Sequence, residues 1–255
     1  MDRVPNREYM QGLARGLNVI KAFSAEHPRR TAAQIATATG LTRATVRRCL
    51  STLADLGYVT ADGREFRLTP RILELGHGFL AGQGIGERVQ PILKEASTAL
   101  GETCMLGLLD QNEVIYVAHA TGDLRFLTIR LTAGSRLPLL STAIGRALVA
   151  FLPDDQRRSI VQSAPLSRHT ETTETDRGAI AAVIERVRRD GYAISDGEYE
   201  AGLVSVGVPV IGPDGQAIAA LNEITIKGRI TRRTIKERHV PALRACAEQL
   251  ALVLF

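Results

Sequence analysis

Leu13, Leu17, Ile20 and Phe23 recur at helical spacing, which predicts an amphipathic helix from about Leu13 to Ala25. Pro28 in "EHPRR" prevents its continuation, because proline has no N–H to donate and clashes with the preceding turn. A new start signal follows at once. Thr31 stands at an N-cap with Gln34 three residues on, the spacing of a capping box. The short helix it opens is anchored by Ile35 and stopped by Gly40. A third helix is predicted from Thr42, a natural N-cap, with Leu41 placed to staple onto Val46. Val46, Cys49, Leu50, Leu53 and Leu56 form one apolar stripe along it, and Gly57 closes it. "YVTADGREFRL" then places two short strand-like runs around Asp62-Gly63, a two-residue hairpin signal.

Beyond the hairpin, "TPRILELGHGFL" predicts a helix with Pro70 in its first turn. "AGQGIGE" interrupts it with three glycines and predicts a hinge. A nucleotide-binding loop is excluded there, since the G-x-G-x-x-G spacing is incomplete and no strand leads in. A helix over about Val89 to Leu100 follows. From Thr103 the period becomes that of strands: "TCMLGLLD" and "EVIYVAHA" flank Gln111-Asn112 as a hairpin, and "FLTIRLT" is a third strand. Helices are predicted over Ser141 to Phe151, over Asp155 to Val161, and from Asp176 to Gly191. The last of these turns Ile180, Val183, Ile184 and Val187 inward. "YAIS", "SVGVPVI" and "AIAALNEITI" are further strands, and a final helix from about Thr234 is bent or restarted at Pro241. This order predicts an α+β fold whose antiparallel sheet carries helices mainly on one face.

Charge changes the picture of the first third. The chain of 255 residues has 32 Lys and Arg against 27 Asp and Glu. Residues 1–80 hold 12 basic against 7 acidic residues, which is +5, and the remainder holds 20 against 20. A basic module on a neutral one suggests a polyanion partner. Two short helices joined by a glycine-containing turn are the helix-turn-helix pattern, in which the second helix enters the DNA major groove. Thr42, Arg43, Ala44, Thr45, Arg47 and Arg48 occupy the leading turns opposite the stripe, and arginine can bridge guanine O6 and N7. The hairpin makes the module a winged helix, with Arg64 near the wing tip in reach of phosphate or minor groove. The alternative, a small helical domain with no ligand, requires all these signals to coincide by chance.

Candidate chemistry is sparse. The five histidines are isolated, and no H-x-x-x-H, C-x-x-C or G-x-S-x-G occurs, so no metal, cofactor or catalytic constellation is expected. Asp196, Glu198 and Glu200 in "SDGEYE" read as turn charges beside the sheet. In "GSRLPLLSTAIGRAL" a helix opens at Ser141-Thr142, where free backbone N–H groups could hold a small carboxylate; simple capping by Ser141 fits equally. "KGRITRRTIKER" reads as a solvated helix start and loop, with a subunit contact as the other reading. No apolar run reaches the roughly 18 residues of a membrane span. The absence of a signal-peptide pattern in "MDRVPNREYMQGL" and three scattered cysteines lead us to expect a cytoplasmic protein.

Together "LARGLNVIKAF", "TAAQIATATGLTRATVRRCLSTLADLGYV", "LTPRILELG", "GSRLPLLSTAIGRALVA", "GYAISDGEYEAGLVSVGVPV" and "GQAIAALN" resemble the IclR family of bacterial transcriptional regulators, in family order over nearly the whole chain. "VRRCLSTLADLGYV" and "LTPRILELG" look closest to the Pca and Pob regulators of the β-ketoadipate pathway of aromatic-acid catabolism. The resemblance implies a winged helix-turn-helix domain (residues 1–69), a linker helix and hinge (70–86) and a GAF-like effector-binding domain (87–255). It also implies a homodimer formed through the N-terminal part, often assembled into tetramers, on palindromic promoter DNA.

The family's effector pocket falls on Phe126, Ile129 and Leu137 as apolar walls, on Ala143 and Ile144 as backbone donors, and on Ser195, Ser205 and Asn222 as polar positions. Ser141 and Thr142 belong to the same helix start, and Arg130 is a candidate carboxylate partner. Members that bind short keto acids carry Asp and Cys in place of Ser195 and Ser205, and Gly and Ala in place of Ala143 and Ile144. These departures argue against a glyoxylate-type effector. They leave an aromatic acid such as protocatechuate or 4-hydroxybenzoate, or β-ketoadipate, as the expected class. The competing classes are an IclR-type regulator of another carboxylate pathway, an enzyme with a DNA-binding appendage, and a constitutive architectural DNA binder.

Overall fold

The structure is a computed structural model, described here over residues 8–82, 84–122 and 131–254. It divides into two compact units between Phe79 and Leu80.

The first unit opens with α1 (Gln11–Lys21). This helix starts earlier and stops sooner than its apolar spacing predicted, because the chain turns at Ala22 and Phe23 before reaching Ala25. Val19 is its fully buried residue and Phe23 still packs into the core, while Leu13 and Leu17 stay exposed at 61% and 44%. The two-residue strand β1 (Arg30–Thr31) then leads into α2 (Ala32–Thr39). Thr31 accepts from the Gln34 amide and the Gln34 side chain accepts from the Thr31 amide, so the capping box forms in full. Gly40 ends α2 with φ 68°, a left-handed conformation that costs glycine little. After this turn comes α3 (Arg43–Asp55), capped by the Thr42 hydroxyl, which accepts from the Thr45 amide at 3.2 Å.

Ile35, Val46, Leu50, Leu53 and Val59 join Val19 in one small core, with Leu41 against it. Each such side chain contributes about 1.5–3 kcal/mol by leaving water. Two members of the expected stripe behave differently: Cys49 is half-buried and Leu56 is 52% exposed. The hairpin pairs β2 (Val59–Asp62) with β3 (Glu65–Leu68), Asp62 facing Glu65, so the loop residues are Gly63 and Arg64 rather than Asp62 and Gly63. The other edge of β3 pairs with β1, which completes a three-stranded wing sheet that the hydrophobic pattern did not reveal.

A 3-10 turn at Pro70–Leu73 starts α4 (Glu74–Gly82), which reaches only the first two residues of the stretch expected to hinge; Gly84 within that stretch is left-handed, with φ 62°. In the second unit, a π turn (Ile85–Val89) runs into α5 (Gln90–Leu100). The antiparallel sheet comprises β4 (Thr103–Asp110), β5 (Glu113–Ala120), β6 (Arg136–Pro138), β7 (Ala193–Asp196), β8 (Leu203–Ile211) and β9 (Ala217–Ile226), in the order β6-β5-β4-β9-β8-β7. Most of the expected strand "FLTIRLT" lies outside the described residues. Helices α6 (Ala143–Ala150), α7 (Asp154–Ser163) and α8 (Arg177–Asp190) connect β6 to β7. After β9 come one turn of helix, α9 (Arg232–Thr234), a second π turn (Ile235–His239) and α10 (Val240–Val253).

The sheet is covered on both faces, not mainly on one. Val204, Val206, Val208 and Val210 of β8 share a core with α10 and with α5, which lies over β4 and β5, whereas the opposite face packs against α6, itself backed by α8. Alternation along each strand sorts side chains between these two cores. Each π turn precedes a proline in the first turn of the next helix, Pro91 and Pro241. Proline cannot donate the bond that the regular ladder requires there, and the widened turn absorbs that loss without breaking the helix.

Candidate functional site

In the first unit the candidate residues cluster on the outer side of α3. Thr42, Arg43, Ala44, Arg47 and Arg48 are exposed, because Val46 and Leu50 hold the opposite face in the core. None of Arg43, Arg47 and Arg48 forms an ion pair with a described residue, while Arg29 and Arg71 nearby pair with Asp62 and Glu74. Thr45 is the exception to the outward set. It is half-buried, its hydroxyl lies 2.9 Å from that of Thr42, and it borders the groove between α1 and α3. Arg64 is exposed at the hairpin tip.

In the second unit Leu137, Thr142, Ala143, Ile144, Ser195, Ser205 and Asn222 line a single cleft between the start of α6 and the sheet. Register explains the gathering. Ser195 stands opposite Ser205 on the neighbouring strand, Ser205 opposite Ile224, and Gly207 opposite Asn222. Gly207 also lets α6 come close, since a Cβ there would lie 2.6 Å from the Ala143 carbonyl oxygen. The Thr142 hydroxyl caps α6 by accepting from the Gly145 amide at 3.2 Å and donates to the Pro138 carbonyl at 2.7 Å. Ser195 Oγ donates to the Ser141 carbonyl at 3.1 Å. Ser141 is itself buried but does not line the cleft, and its hydroxyl has no partner among the described residues. Phe126, Ile129 and Arg130 lie outside the described residues.

The cleft has walls that motif reasoning missed. Tyr116 is buried beneath it and donates to Asn222 Oδ1 at 3.2 Å; burial pushes its phenol far above the ordinary range. Tyr116 carries no motif signal beyond being the hydroxyl-bearing residue at an alternating position of β5. Leu131, Tyr199, Leu203 and Ile224 supply apolar surface. Glu198, expected as a turn charge, borders the cleft and lies against buried Arg146 in a bidentate pair at 2.5 and 2.6 Å. Of its cluster, Asp196 pairs with Lys227 and Glu200 remains exposed at the cleft rim.

A second buried polar cluster lies on the other face of β9. His239 Nδ1 is 2.8 Å from both Glu223 carboxylate oxygens, and Thr225 donates to Glu102 Oε1 at 3.0 Å. Burial pushes the Glu102 carboxyl above its ordinary range; the Thr225 bond and Arg229 oppose the shift. Among the described residues no group of three or more His, Cys, Asp or Glu is placed to hold a metal, and no helix is long and apolar enough to cross a membrane.

Two family models match the chain: the IclR helix-turn-helix domain over residues 12–63 and the bacterial transcriptional regulator IclR C-terminal domain over 77–252. The chain is 39% identical over 248 residues to the Pca regulon regulatory protein of Pseudomonas putida, covering 97% of this chain and 85% of that one. It is similar to the crystal structure of a transcriptional regulator from Rhodococcus sp. RHA1, with a TM-score of 0.85, 41% identity, and 96% and 98% of the two chains covered. The chain is also similar to a double mutant of the inducer-binding domain of the PobR transcription factor from Acinetobacter, solved with 3-hydroxybenzoic acid. There the TM-score is 0.58 and the identity 27%, over 64% of this chain and 95% of that one. Similarity over both domains places the chain among regulators rather than enzymes. The chain therefore belongs to the IclR family of bacterial transcriptional regulators.

Proposed function

We propose that the protein is a cytoplasmic, effector-responsive regulator that controls genes of aromatic-acid catabolism, with an aromatic carboxylate as its effector. The observation that carries this reading is the cleft itself. Aromatic and aliphatic walls from Tyr199, Leu131, Leu137, Leu203 and Ile224 surround a small polar set, the composition of a site for a compact amphipathic ligand; the space they enclose is about 40 Å³, so the cleft must widen to admit one. The Pca regulator of Pseudomonas putida and the PobR domain with 3-hydroxybenzoic acid support the aromatic class.

In this reading the first amides of α6, at Ala143 and Ile144, meet the carboxylate, since the opening amides of a helix have no intrahelical acceptor and Thr142 caps only Gly145. Ser195, Ser205 and Asn222 supply further polar contacts, Leu137 with Phe126 and Ile129 the apolar wall, and Arg130 a carboxylate partner. On the DNA side, Arg43, Ala44, Arg47 and Arg48 approach the major groove with Thr42 and Thr45 at the helix start, and Arg64 reaches the backbone or minor groove.

Two copies of the chain act as a homodimer on a palindromic promoter site, with tetramers as a higher assembly. The exposed apolar residues Met10, Leu13, Leu17 and Leu56 beside the α1–α3 groove support a subunit contact through the first unit. An effector that favours one placement of the paired recognition helices would change operator affinity, because half-sites lie about one DNA turn, or a multiple of it, apart.

Selection of bound sequences from a random duplex pool, followed by titration of the enriched duplex with and without 4-hydroxybenzoate, tests the reading. A palindromic consensus and an effector-dependent change in affinity are expected. Enrichment with no response to any aromatic acid would overturn the aromatic assignment, and no enrichment at all would overturn the whole reading.

A further inference from the structure

The hydrogen bonds under the cleft have only one consistent direction. The Glu223 carbonyl can only accept, so Ser205 Oγ, at 2.8 Å, spends its proton there. The Asn222 amide group 2.9 Å from Ser205 Oγ must then be the donor, Nδ2. That orientation turns Asn222 Oδ1 toward Tyr116, and the Tyr116 hydroxyl spends its single proton on it at 3.2 Å. Tyr116 is 1% exposed and Asn222 is 1% exposed, so water does not compete freely for this chain. The Tyr116 oxygen is left with lone pairs and no proton free to donate, at the wall of the cleft.

We infer that Tyr116 reads the effector as a hydrogen-bond acceptor, selecting aromatic carboxylates that carry a ring hydroxyl over those that lack a donor. Ser205 sets this polarity from behind without touching the hydroxyl. The inference rests on the proposed aromatic-carboxylate effector and adds to it which ring substituent is required and what recognises it. Burial of the phenol keeps it neutral, so the acceptor is a phenol oxygen and not a phenolate. Fluorine matches hydroxyl closely in size but donates nothing, which makes fluorobenzoates the diagnostic comparison.

The experiment measures binding of matched pairs, 3- and 4-hydroxybenzoate against 3- and 4-fluorobenzoate, to the full-length protein by calorimetry. The wild type is expected to prefer at least one hydroxy compound over its fluoro counterpart by about tenfold or more, because a buried partner left unpaired is what rejects the analogue. Tyr116→Phe removes the acceptor and should bring the ratio close to one. Ser205→Ala leaves Tyr116 in place but frees Asn222 to turn over and donate to the phenol. The Tyr116 proton is then released toward the ligand, and the ratio should fall in this variant too. Equal affinity within both pairs in the wild type, or an unchanged ratio in both variants, would overturn the role of Tyr116 while leaving the aromatic reading intact. Failure of all four benzoates to bind would overturn the aromatic reading, and the inference with it.

Discussion

Arg146 and Glu198, 52 residues apart, meet as a buried bidentate ion pair that ties α6 to the loop after β7. Arg146 Nε also donates to the Leu140 carbonyl at 2.8 Å, and Glu198 accepts from the Glu174 amide at 3.3 Å. The pair thus holds together three segments around the cleft. A buried ion pair contributes little net stability relative to an apolar pair, yet removing one partner leaves the other charge unmatched. Glu198→Ala is expected to cost about 3–5 kcal/mol in urea unfolding, and the joint replacement Arg146→Met with Glu198→Met much less. Equal losses in the two proteins would contradict this account of the pair.

Glu102 gives the protein a pH-dependent contribution to stability. Its carboxyl is raised chiefly by burial, partly offset by Thr225 and Arg229, with Glu223 and His239 also near. A raised carboxyl means that the folded chain holds its proton more tightly than the unfolded chain. Stability from this group is present below the ordinary carboxyl range, near pH 4.3, and is lost as pH rises through the raised value. Unfolding measured across that interval should show this fall in the wild type. Glu102→Gln, which cannot titrate, should show a shallower decline.

Gly207 is required where α6 crosses β8. A methyl group at this position would lie 2.6 Å from the Ala143 carbonyl oxygen, which is backbone and cannot swing aside. Gly207→Ala should destabilise by about 1–3 kcal/mol through overpacking. It should also weaken effector binding, since the helix start that forms the cleft must shift. A variant with wild-type stability and affinity would remove the close-approach argument.

On the DNA side, capping and reading separate cleanly. Thr42→Ala removes the bond to the Thr45 amide and should cost about 1 kcal/mol of stability. Arg47→Ala touches no described partner and should change stability by no more than about 0.5 kcal/mol. It should nevertheless weaken duplex binding. Relaxed sequence preference would mark Arg47 as a base reader, whereas a uniform loss with the salt slope reduced by about one would mark a phosphate contact. Binding unchanged in both affinity and preference would remove Arg47 from the interface.

Much of the first unit was legible because its signals are local. Thr31 with Gln34, Gly40, and Thr42 before an apolar stripe are interactions within three or four residues, and the caps form as their spacing predicted. The β1–β3 pairing was not legible, because Arg30-Thr31 is too short to show a period and finds its partner 35 or so positions away. The exposure of Leu13, Leu17 and Leu56 was hidden for a related reason. Periodicity marks an apolar face but does not say whether the same chain covers it.

The cleft divides in the same way. Leu137, Ala143, Ile144, Ser195, Ser205 and Asn222 could be placed by resemblance, and α6 by its cap at Thr142. Tyr116 and Glu198 could not, since a tyrosine in a strand and a glutamate in a turn look alike in thousands of settings. Local sequence determined which helices and strands of the first unit form, where α2 and α3 are capped, and the basic character of the first third. Only the tertiary structure decided which faces of the sheet are covered, that Arg146 finds Glu198, and that Ser205 sets the direction of the Asn222 and Tyr116 hydrogen bonds. Those outcomes depend on strand order and register, and these bring together side chains whose separation along the chain carries no periodic signal.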